Sequence, residues 1–474
     1  MVDEKLVMFC EYDRWKRLFP KMLDKRFGAG TMVELASREG RLRLAESIAN
    51  GTFRFGIPEE KQVPKDDGSM RTVVVLQEYD RCVMTVLLDV YTELYGDLIP
   101  DVCKSYQAGL GTPKVLRQVQ QRVRTGATGW KLDVSSYFDS VPVGVVESVL
   151  KQLDTGSSLD RLLWEFYHDN RVVRGGVVVE RYKSLGQGCA FGSLLANLVL
   201  AKLDEEVSSV VEVYYRYSDD MLVLGEGSDD ALALIEKRLS ELGLTLKEKK
   251  KKRVDGNGFD FLGGRVSSEG IGLTRKHRTE LRKQVRKLCR SKGRDGQRAS
   301  VRRIQHWLFN GEQSAGDYWL DVLSLESDVR WLDEYCKDQL KALYCGKQNR
   351  VTAARKTSNE CLAELGWVSL VAVWKEFHRS RQVYDARKRW LLRKKQVEKK
   401  ECITAEEAEA LWSLAREWEG KSCLPLEGSM ERVWGLQDWE QAREAVRKLE
   451  QSWVECEGYY WQSSVYPELV LFKE

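Results

Sequence analysis

Tyr217-Ser218-Asp219-Asp220 sets two adjacent carboxylates between two apolar stretches. Upstream, Val211, Val213, Tyr215 and Tyr217 alternate with Glu212, Tyr214 and Arg216; downstream run Met221, Leu222, Val223 and Leu224. Alternation on one side and a short apolar run on the other read as strand, tight turn, strand. Paired like charges at the tip of a buried hairpin are unfavourable unless a cation neutralises them, and a divalent metal is the natural candidate, with an ordinary charged turn as the alternative. A third acid comes from Trp130-Lys131-Leu132-Asp133, a strand ending in a carboxylate that then turns through Tyr137 and Phe138. Asp133 paired with Asp219 supplies what a two-metal site needs, separate carboxylates able to bridge cations roughly 3.5–4 Å apart.

The chain contains its own control. Ser228-Asp229-Asp230 repeats the same three letters ten positions on, but a Gly precedes it and an apolar-periodic segment follows through Leu232, Ile235, Leu239 and Leu242. That pattern is a helix start, with Ser228 as the cap and the acids in the first turn.

The elements that must position these carboxylates follow from the same patterning. Up to about residue 50 the chain reads as helices, with Trp15, Leu18, Phe19 and Leu23 at helical spacing. Val63 to Leu76 reads as two strand-like pieces around an Asp- and Gly-rich turn. Its Lys65 and Arg71 could grip a phosphate or simply make an exposed basic loop, and both readings stay open. An amphipathic helix starts at Asp80-Arg81 and carries Val83, Leu87 and Tyr91. Gly186-Gln187-Gly188 leads through Gly192-Ser193 into an apolar helix running to Leu203. The small residues would let a flat ligand lie against the backbone, with tight helix packing as the alternative. Beyond the repeat come Gly243-Leu244-Thr245-Leu246, the lysines Lys247, Lys249 and Lys250, and a strand-turn at Phe259-Asp260-Phe261-Leu262-Gly263-Gly264.

At 474 residues the chain exceeds one ordinary core, and two or three domains or subdomains are expected. The net charge of +4 is mild but uneven: basic residues concentrate at 275–303 and 374–400, and acids gather at 401–474. Basic tracts with interleaved aromatics point to a polyanion partner, although a solvated helix face accounts equally well for any single run. Eleven cysteines without C-x-x-C spacing argue against a disulfide framework or a zinc module and fit a reducing cytosol. The charged N-terminus and the lack of a long apolar run indicate neither secretion nor membrane insertion, so a cytoplasmic protein is expected.

Taken in order, the Lys65/Gly68/Arg71 turn, the Asp133 strand, Gln187-Gly188, Tyr-x-Asp-Asp, the Gly-Leu-x-Leu lysine segment and the Phe-Leu-Gly turn resemble the successive motifs of a reverse transcriptase, over roughly residues 53–264. The resemblance implies an α+β right-hand polymerase of fingers, palm and thumb with an all-helical C-terminal extension. It further implies RNA-directed DNA synthesis with two Mg²⁺ ions, Mn²⁺ being the substitute. Asp133, Asp219 and Asp220 resemble the carboxylate ligands, with the Val134 carbonyl beside them, and Lys250 the lysine that protonates leaving pyrophosphate. Lys65, Arg71, Tyr137, Phe138 and Gln187 match nucleotide-side positions, Phe138 as the gate against a ribose 2′-hydroxyl. Phe261, Leu262 and Gly263 match the primer grip.

Where the helix lead-in commonly reads Pro-Gln-Gly and then Ser-Pro, this chain has Gly186 and Gly192-Ser193, unlike the intron-encoded enzymes. Retron signatures and HNH cysteine pairs are missing. The chain therefore looks most like the bacterial unknown-group, defence-associated enzymes, which act against phage and commonly copy a cognate non-coding RNA. A retron-like or diversity-generating enzyme and a maturase-like RNA-binding scaffold remain as alternatives. Implied partners are a structured non-coding RNA template, the DNA product and deoxynucleoside triphosphates, with no membrane; a homo-oligomer stays open.

The expected division is 1–265 for the N-terminal helices, fingers and palm, 266–345 for a helical thumb and 346–474 for a helical extension, basic and then acidic. Thr274 can cap a helix with Leu281, Val285 and Leu288 on one face and basic residues on the other. Arg275, Arg282 and Arg286 of that helix, and Arg387, Lys388, Arg389 and Arg393 of the second tract, are the expected RNA contacts. Thr404 to Glu407 reads as a capping box of a later helix, and 439–449 as another.

Overall fold

The structure is a computed structural model and describes residues 3–23, 35, 37–64, 70–107, 111–289, 293–310, 315–345, 358–381 and 389. The chain divides into two compact units, 1–257 and 258–474.

The first unit begins with α1 (Glu4–Cys10), α2 (Tyr12–Leu23) and α3 (Arg38–Ala49). Trp15 and Leu18 are buried as their spacing predicts; the side chains of Phe19 and Leu23 lie outside the described residues. The hairpin β1 (Glu59–Pro64) and β2 (Met70–Val75) follows, paired from Glu59↔Val75 to Pro64↔Met70. Its tip, with Lys65 and Gly68, lies outside the described residues. Next comes α4 (Glu78–Tyr95), which buries Val83, Leu87 and Tyr91, and then α5 (Thr112–Arg124).

The strand β3 (Gly129–Asp133) precedes a short turn of helix, α6 (Tyr137–Ser140), and then α7 (Val143–Leu153) and α8 (Ser158–His168). A capping box starts α8: the Ser157 hydroxyl accepts from the Leu159 N–H at 3.1 Å, and Asp160 accepts from the Ser157 N–H at 3.0 Å. The same Asp160 is a buried hub, accepting from Lys5 Nζ and from Tyr91 Oη, both at 2.5 Å, and so ties α1, α4 and α8 together. The hairpin β4 (Arg171–Arg174) and β5 (Val177–Glu180) joins the first hairpin in a four-stranded sheet of order β2-β1-β4-β5.

After α9 (Gly192–Val199) the expected single helix breaks at Leu200, whose φ of −103° and ψ of 3° leave the helical region. A second helix, α10 (Ala201–Ser208), continues from there. The hairpin β6 (Val213–Tyr217) and β7 (Asp220–Leu224) follows, then α11 (Ser228–Glu241) and β8 (Lys252–Val254). These strands and β3 form an antiparallel sheet of order β6-β7-β3-β8. Alternation along β6 predicts a half-buried strand with Glu212, Tyr214 and Arg216 outward. Instead Tyr214 and Arg216 are 4% and 0% exposed, because α10 covers that face and its Asp204 receives both side chains. At α11 Gly227, with φ 77°, holds the cap position and Ser228 is the first helical residue, correcting the expectation that Ser228 caps.

The second unit opens with a three-stranded antiparallel sheet, β9 (Phe259–Phe261), β10 (Gly264–Val266) and β11 (Ile271–Leu273). Leu262 and Gly263, both at positive φ, make its two-residue hairpin turn. Thr274 then caps α12 (Arg275–Leu288), its hydroxyl accepting from the His277 N–H at 3.2 Å, with Leu281 and Val285 buried as expected. The helices α13 (Gly293–Gln305), α14 (Ala315–Val322), α15 (Glu326–Cys345), α16 (Asn359–Glu364) and α17 (Leu370–Arg379) complete this unit among the described residues. The capping box at 404–407 and the segment 439–449 lie outside them.

Candidate active site

The sheet register places the carboxylates. Asp133, the last residue of β3, lies directly opposite Asp220, the first of β7, and Asp219 occupies the intervening turn. Ser218 begins that turn with φ 59°, and its N–H donates to the Ser105 hydroxyl at 2.9 Å. The Asp219 carbonyl accepts from the Val134 N–H at 3.1 Å, so the turn is fastened to the chain that leaves Asp133.

Asp133 is 3% exposed, and both its oxygens are taken by ammonium groups. Lys247 pairs with Oδ1, and Lys250 donates to Oδ2 at 2.6 Å. Lys247 also lies 4.0 Å from Asp219, and Lys131 lies 3.8 Å from Asp220. Burial, and next the charge of Asp133, push Asp219 above its ordinary value. Burial raises Asp220 too, against the pull of Lys131. Burial works against the charge of Lys250, but Asp133 and the two neighbouring carboxylates together raise it. The electrostatic demand of the site is therefore for cations.

The donor set is chemically suited to hard divalent metals: three carboxylates, plus the Val134 carbonyl, which the bridge to Leu246 leaves out of its hydrogen bonds because those run from Ser135 to Thr245 and from Lys247 to Asp133. Among the described residues no group of three His, Cys, Asp or Glu side chains stands ready to hold a metal ion.

Two of these lysines escape a reading of motifs. Lys247 reaches Asp133 because Lys247 and Lys250, three apart across the 3₁₀ turn Glu248–Lys250, fall on one side of it. Lys131 stands two residues before Asp133, hence on the same face of β3. The Lys131 spacing was visible in the sequence, whereas the Lys247 contact depends on the bridge between Val134 and Leu246.

Among the residues expected to face a nucleotide, the Gln187 carbonyl accepts from the Val74 N–H at 2.6 Å, binding the Gly-rich loop to β2. Gly188 sits at φ 100°, where a Cβ would stand 2.8 Å from the Val74 carbonyl, so this contact requires glycine. Arg71 lies exposed on the same strand. Phe138 is half-buried, and its carbonyl accepts from the Leu185 N–H. Tyr137 is 2% exposed with its hydroxyl on the Ala196 carbonyl at 2.6 Å, so its side chain belongs to the core and only its backbone is left to meet a nucleotide. Lys65 lies outside the described residues.

Residues 63–266 match the family described as reverse transcriptase (RNA-dependent DNA polymerase). The match covers less than half of the chain and identifies this segment as a domain of the reverse transcriptase type. No curated protein matches the chain. Solved structures similar to it include apo telomerase from Candida tropicalis truncated from the C-terminal domain, at 11% identity and TM-score 0.38, covering 46% of this chain and 55% of that one. Telomerase from Candida albicans in complex with the TWJ fragment of telomeric RNA is similar at 11% identity and TM-score 0.36, over 72% of this chain and 65% of that one. Apo telomerase from Candida tropicalis gives 10% and 0.40, over 76% and 68%. The chain thus spans just over half of the first and just under two thirds of the second.

Behind the hairpin that carries Asp219 and Asp220 lies a buried network that sequence patterning concealed. Arg216 Nη2 pairs with Asp204 at 2.5 Å, both side chains being fully buried, and also donates to the Asn197 carbonyl at 3.1 Å. Asn197 Oδ1 accepts from Ser105 Oγ at 2.9 Å, and Ser105 in turn receives the Ser218 N–H. A continuous chain of hydrogen bonds therefore runs from α10 to the turn that carries Asp219.

In the second unit Phe261 is buried, and Leu262 and Gly263 form the β9–β10 turn. Arg275, Arg282 and Arg286 are exposed along α12. Arg282 lies over Trp331 and Tyr335, at 5.2 and 5.7 Å from the ring centres, and Arg286 Nε donates to the Tyr335 hydroxyl at 2.9 Å. The sequence places few acids within the two basic tracts. The fold supplies them from α14 and α15: Asp328 pairs with Arg278, Glu326 with Lys375 and Asp321 with Arg381. Arg389 is exposed. Arg387, Lys388 and Arg393 lie outside the described residues.

Proposed function

We propose that the domain extends a primer 3′-hydroxyl on an RNA template, through Asp133, Asp219 and Asp220. The carrying observation is their convergence at the paired ends of β3 and β7 inside the matched segment. Two magnesium ions, held by the three carboxylates and the Val134 carbonyl, would supply stabilisation of the attacking and leaving oxygens. Arg71 and Lys65 bind the triphosphate by its charge. Phe138 excludes the ribose 2′-hydroxyl, and Gln187 positions the nucleotide against the backbone fastened to β2. Lys250, its ammonium held protonated, gives a proton to the departing pyrophosphate. Arg275, Arg282 and Arg286 grip the duplex by its phosphates, and Phe261 to Gly263 set the primer end. We place this activity in bacterial anti-phage defence, on a cognate structured non-coding RNA, in the cytosol. Seven free cysteines among the described residues agree with that compartment.

The test is primer extension by the full chain on an RNA template with deoxynucleotides, beside D219A/D220A. Extension by the native chain and none by a folded double variant is expected; extension by both would overturn the assignment. Sequencing of co-purified nucleic acid tests the template: one recurrent structured RNA is expected, and a random cellular mixture would remove the cognate-RNA reading.

A further inference from the structure

The Asp133 carboxylate is buried, and a buried charge needs a partner at every stage of a reaction cycle. Lys247 meets that need in an unusual way. Its backbone cannot move off the site: the N–H donates to the Asp133 carbonyl at 2.8 Å, its own carbonyl accepts from the N–H groups of Lys250 and Lys251, and Leu246 beside it bridges Val134. From this anchored origin the ammonium pairs with Asp133 and reaches to 4.0 Å from Asp219. It thus lies between a carboxylate at the end of β3 and one on the β6–β7 turn, whereas Lys250 pairs within 4 Å with Asp133 alone. The side chain of Lys247 is one-third exposed and therefore has a path outward.

We propose that Lys247 is the resident counter-cation of this site, neutralising Asp133 and Asp219 in the metal-free protein and swinging off them when a divalent ion is ligated. The inference rests on the reading of Asp133 as a metal ligand. Metal binding is then an exchange of one cation for another. The carboxylates never stand uncompensated, and affinity for the metal alone is held down by the ammonium that must leave.

The experiment measures Mn²⁺ binding to the full chain without nucleotide, from the paramagnetic resonance signal of free Mn²⁺, in native protein, K247M, K247R and D133N. K247M is expected to bind about tenfold more tightly than native protein, because removing a unit charge within 4 Å removes the competitor. K247R, which keeps the charge, should stay near native affinity. Thermal melting gives a second reading: K247M should melt lower than native protein in chelator, and gain more from added Mn²⁺. K247Q replaces K247M should the latter not fold. Native-like affinity and native-like Mn²⁺ stabilisation in K247M, with binding lost in D133N, would overturn the role of Lys247 while leaving the metal site intact. Undiminished binding in D133N would overturn the metal-site reading, and this inference with it.

Discussion

Ser218-Asp219-Asp220 and Ser228-Asp229-Asp230 are the same letters in two environments. In the first, Ser218 takes a left-handed turn between strands, and its two acids stand beside a third on β3 and rise above their ordinary values. In the second, Gly227 takes the left-handed position and the acids fall in the first turn of α11, exposed, where the helix dipole favours them. Asp229 accepts from Trp130 Nε1 at 2.6 Å and lies 3.5 Å from Arg253. Burial and backbone separate a half-buried pair at a strand turn from an exposed pair in the first turn of a helix. Composition does not.

The largest expected effect breaks the comparison at its reactive end. D219A/D220A should lower primer extension at least about a thousandfold, the order lost when electrostatic stabilisation of a transition state is removed. D229A/D230A should stay within about twofold of native protein. Equal losses in the two double variants would show that the acids act through general charge, not through position.

The network behind the turn comes next. D204N leaves Arg216 buried and uncompensated, and should lower unfolding free energy by about 3–5 kcal/mol in a denaturant titration. D204L/R216M removes both charges and should recover part of that stability. A D204N chain as stable as native protein would mean that this pair does not fasten the hairpin.

Phe138 comes third. F138A should raise ribonucleotide use relative to deoxynucleotide by about tenfold in the ratio of kcat/KM values. An unchanged ratio would place the sugar gate elsewhere.

How much of this could be read beforehand depended on range. The hairpin, Asp133 at a strand end and the cap at Thr274 were legible because period, turn residue and cap chemistry are local. The two faces of β6 were not: Arg216 looks like the solvent side of an alternating strand until Asp204, on a separate helix, draws it inward. Lys247 was equally hidden, since it meets Asp133 across 114 positions through a bridge that no short window contains. The acids that answer Arg278, Lys375 and Arg381 come from other helices in the same manner.

A buried acid outside both pairs sharpens the comparison through pH. Burial alone would raise Asp160, but hydrogen bonds from Lys5, Tyr91 and the Thr155 N–H outweigh it and hold the carboxyl below 3.8. Because the folded value is depressed, the stabilisation is full above the unfolded value, near 4, and is lost as pH falls through the folded one. D160N should therefore melt well below native protein at pH 6, and the gap should close as pH drops below about 4. A gap independent of pH would mean that the carboxylate charge contributes nothing there.

The smallest effect tests the capping pair itself. Asp229 carries two modest interactions, a hydrogen bond from a half-buried indole and a place in the first turn of α11, with Arg253 near the same oxygen and 5.6 Å from the centre of the Trp130 ring. One hydrogen bond is worth about 0.5–1.5 kcal/mol net, and a first-turn acid about 0.3–1 kcal/mol at low salt. D229A should thus destabilise the protein by about 1 kcal/mol, whereas D229N, which keeps an acceptor for Trp130 but no charge, should recover most of it. Salt separates the two parts, because only the dipole and Arg253 contributions are screened. If D229A changes primer extension more than it changes stability, then Asp229, through Trp130 on β3, also orients Asp133, and the second copy of the motif serves the first.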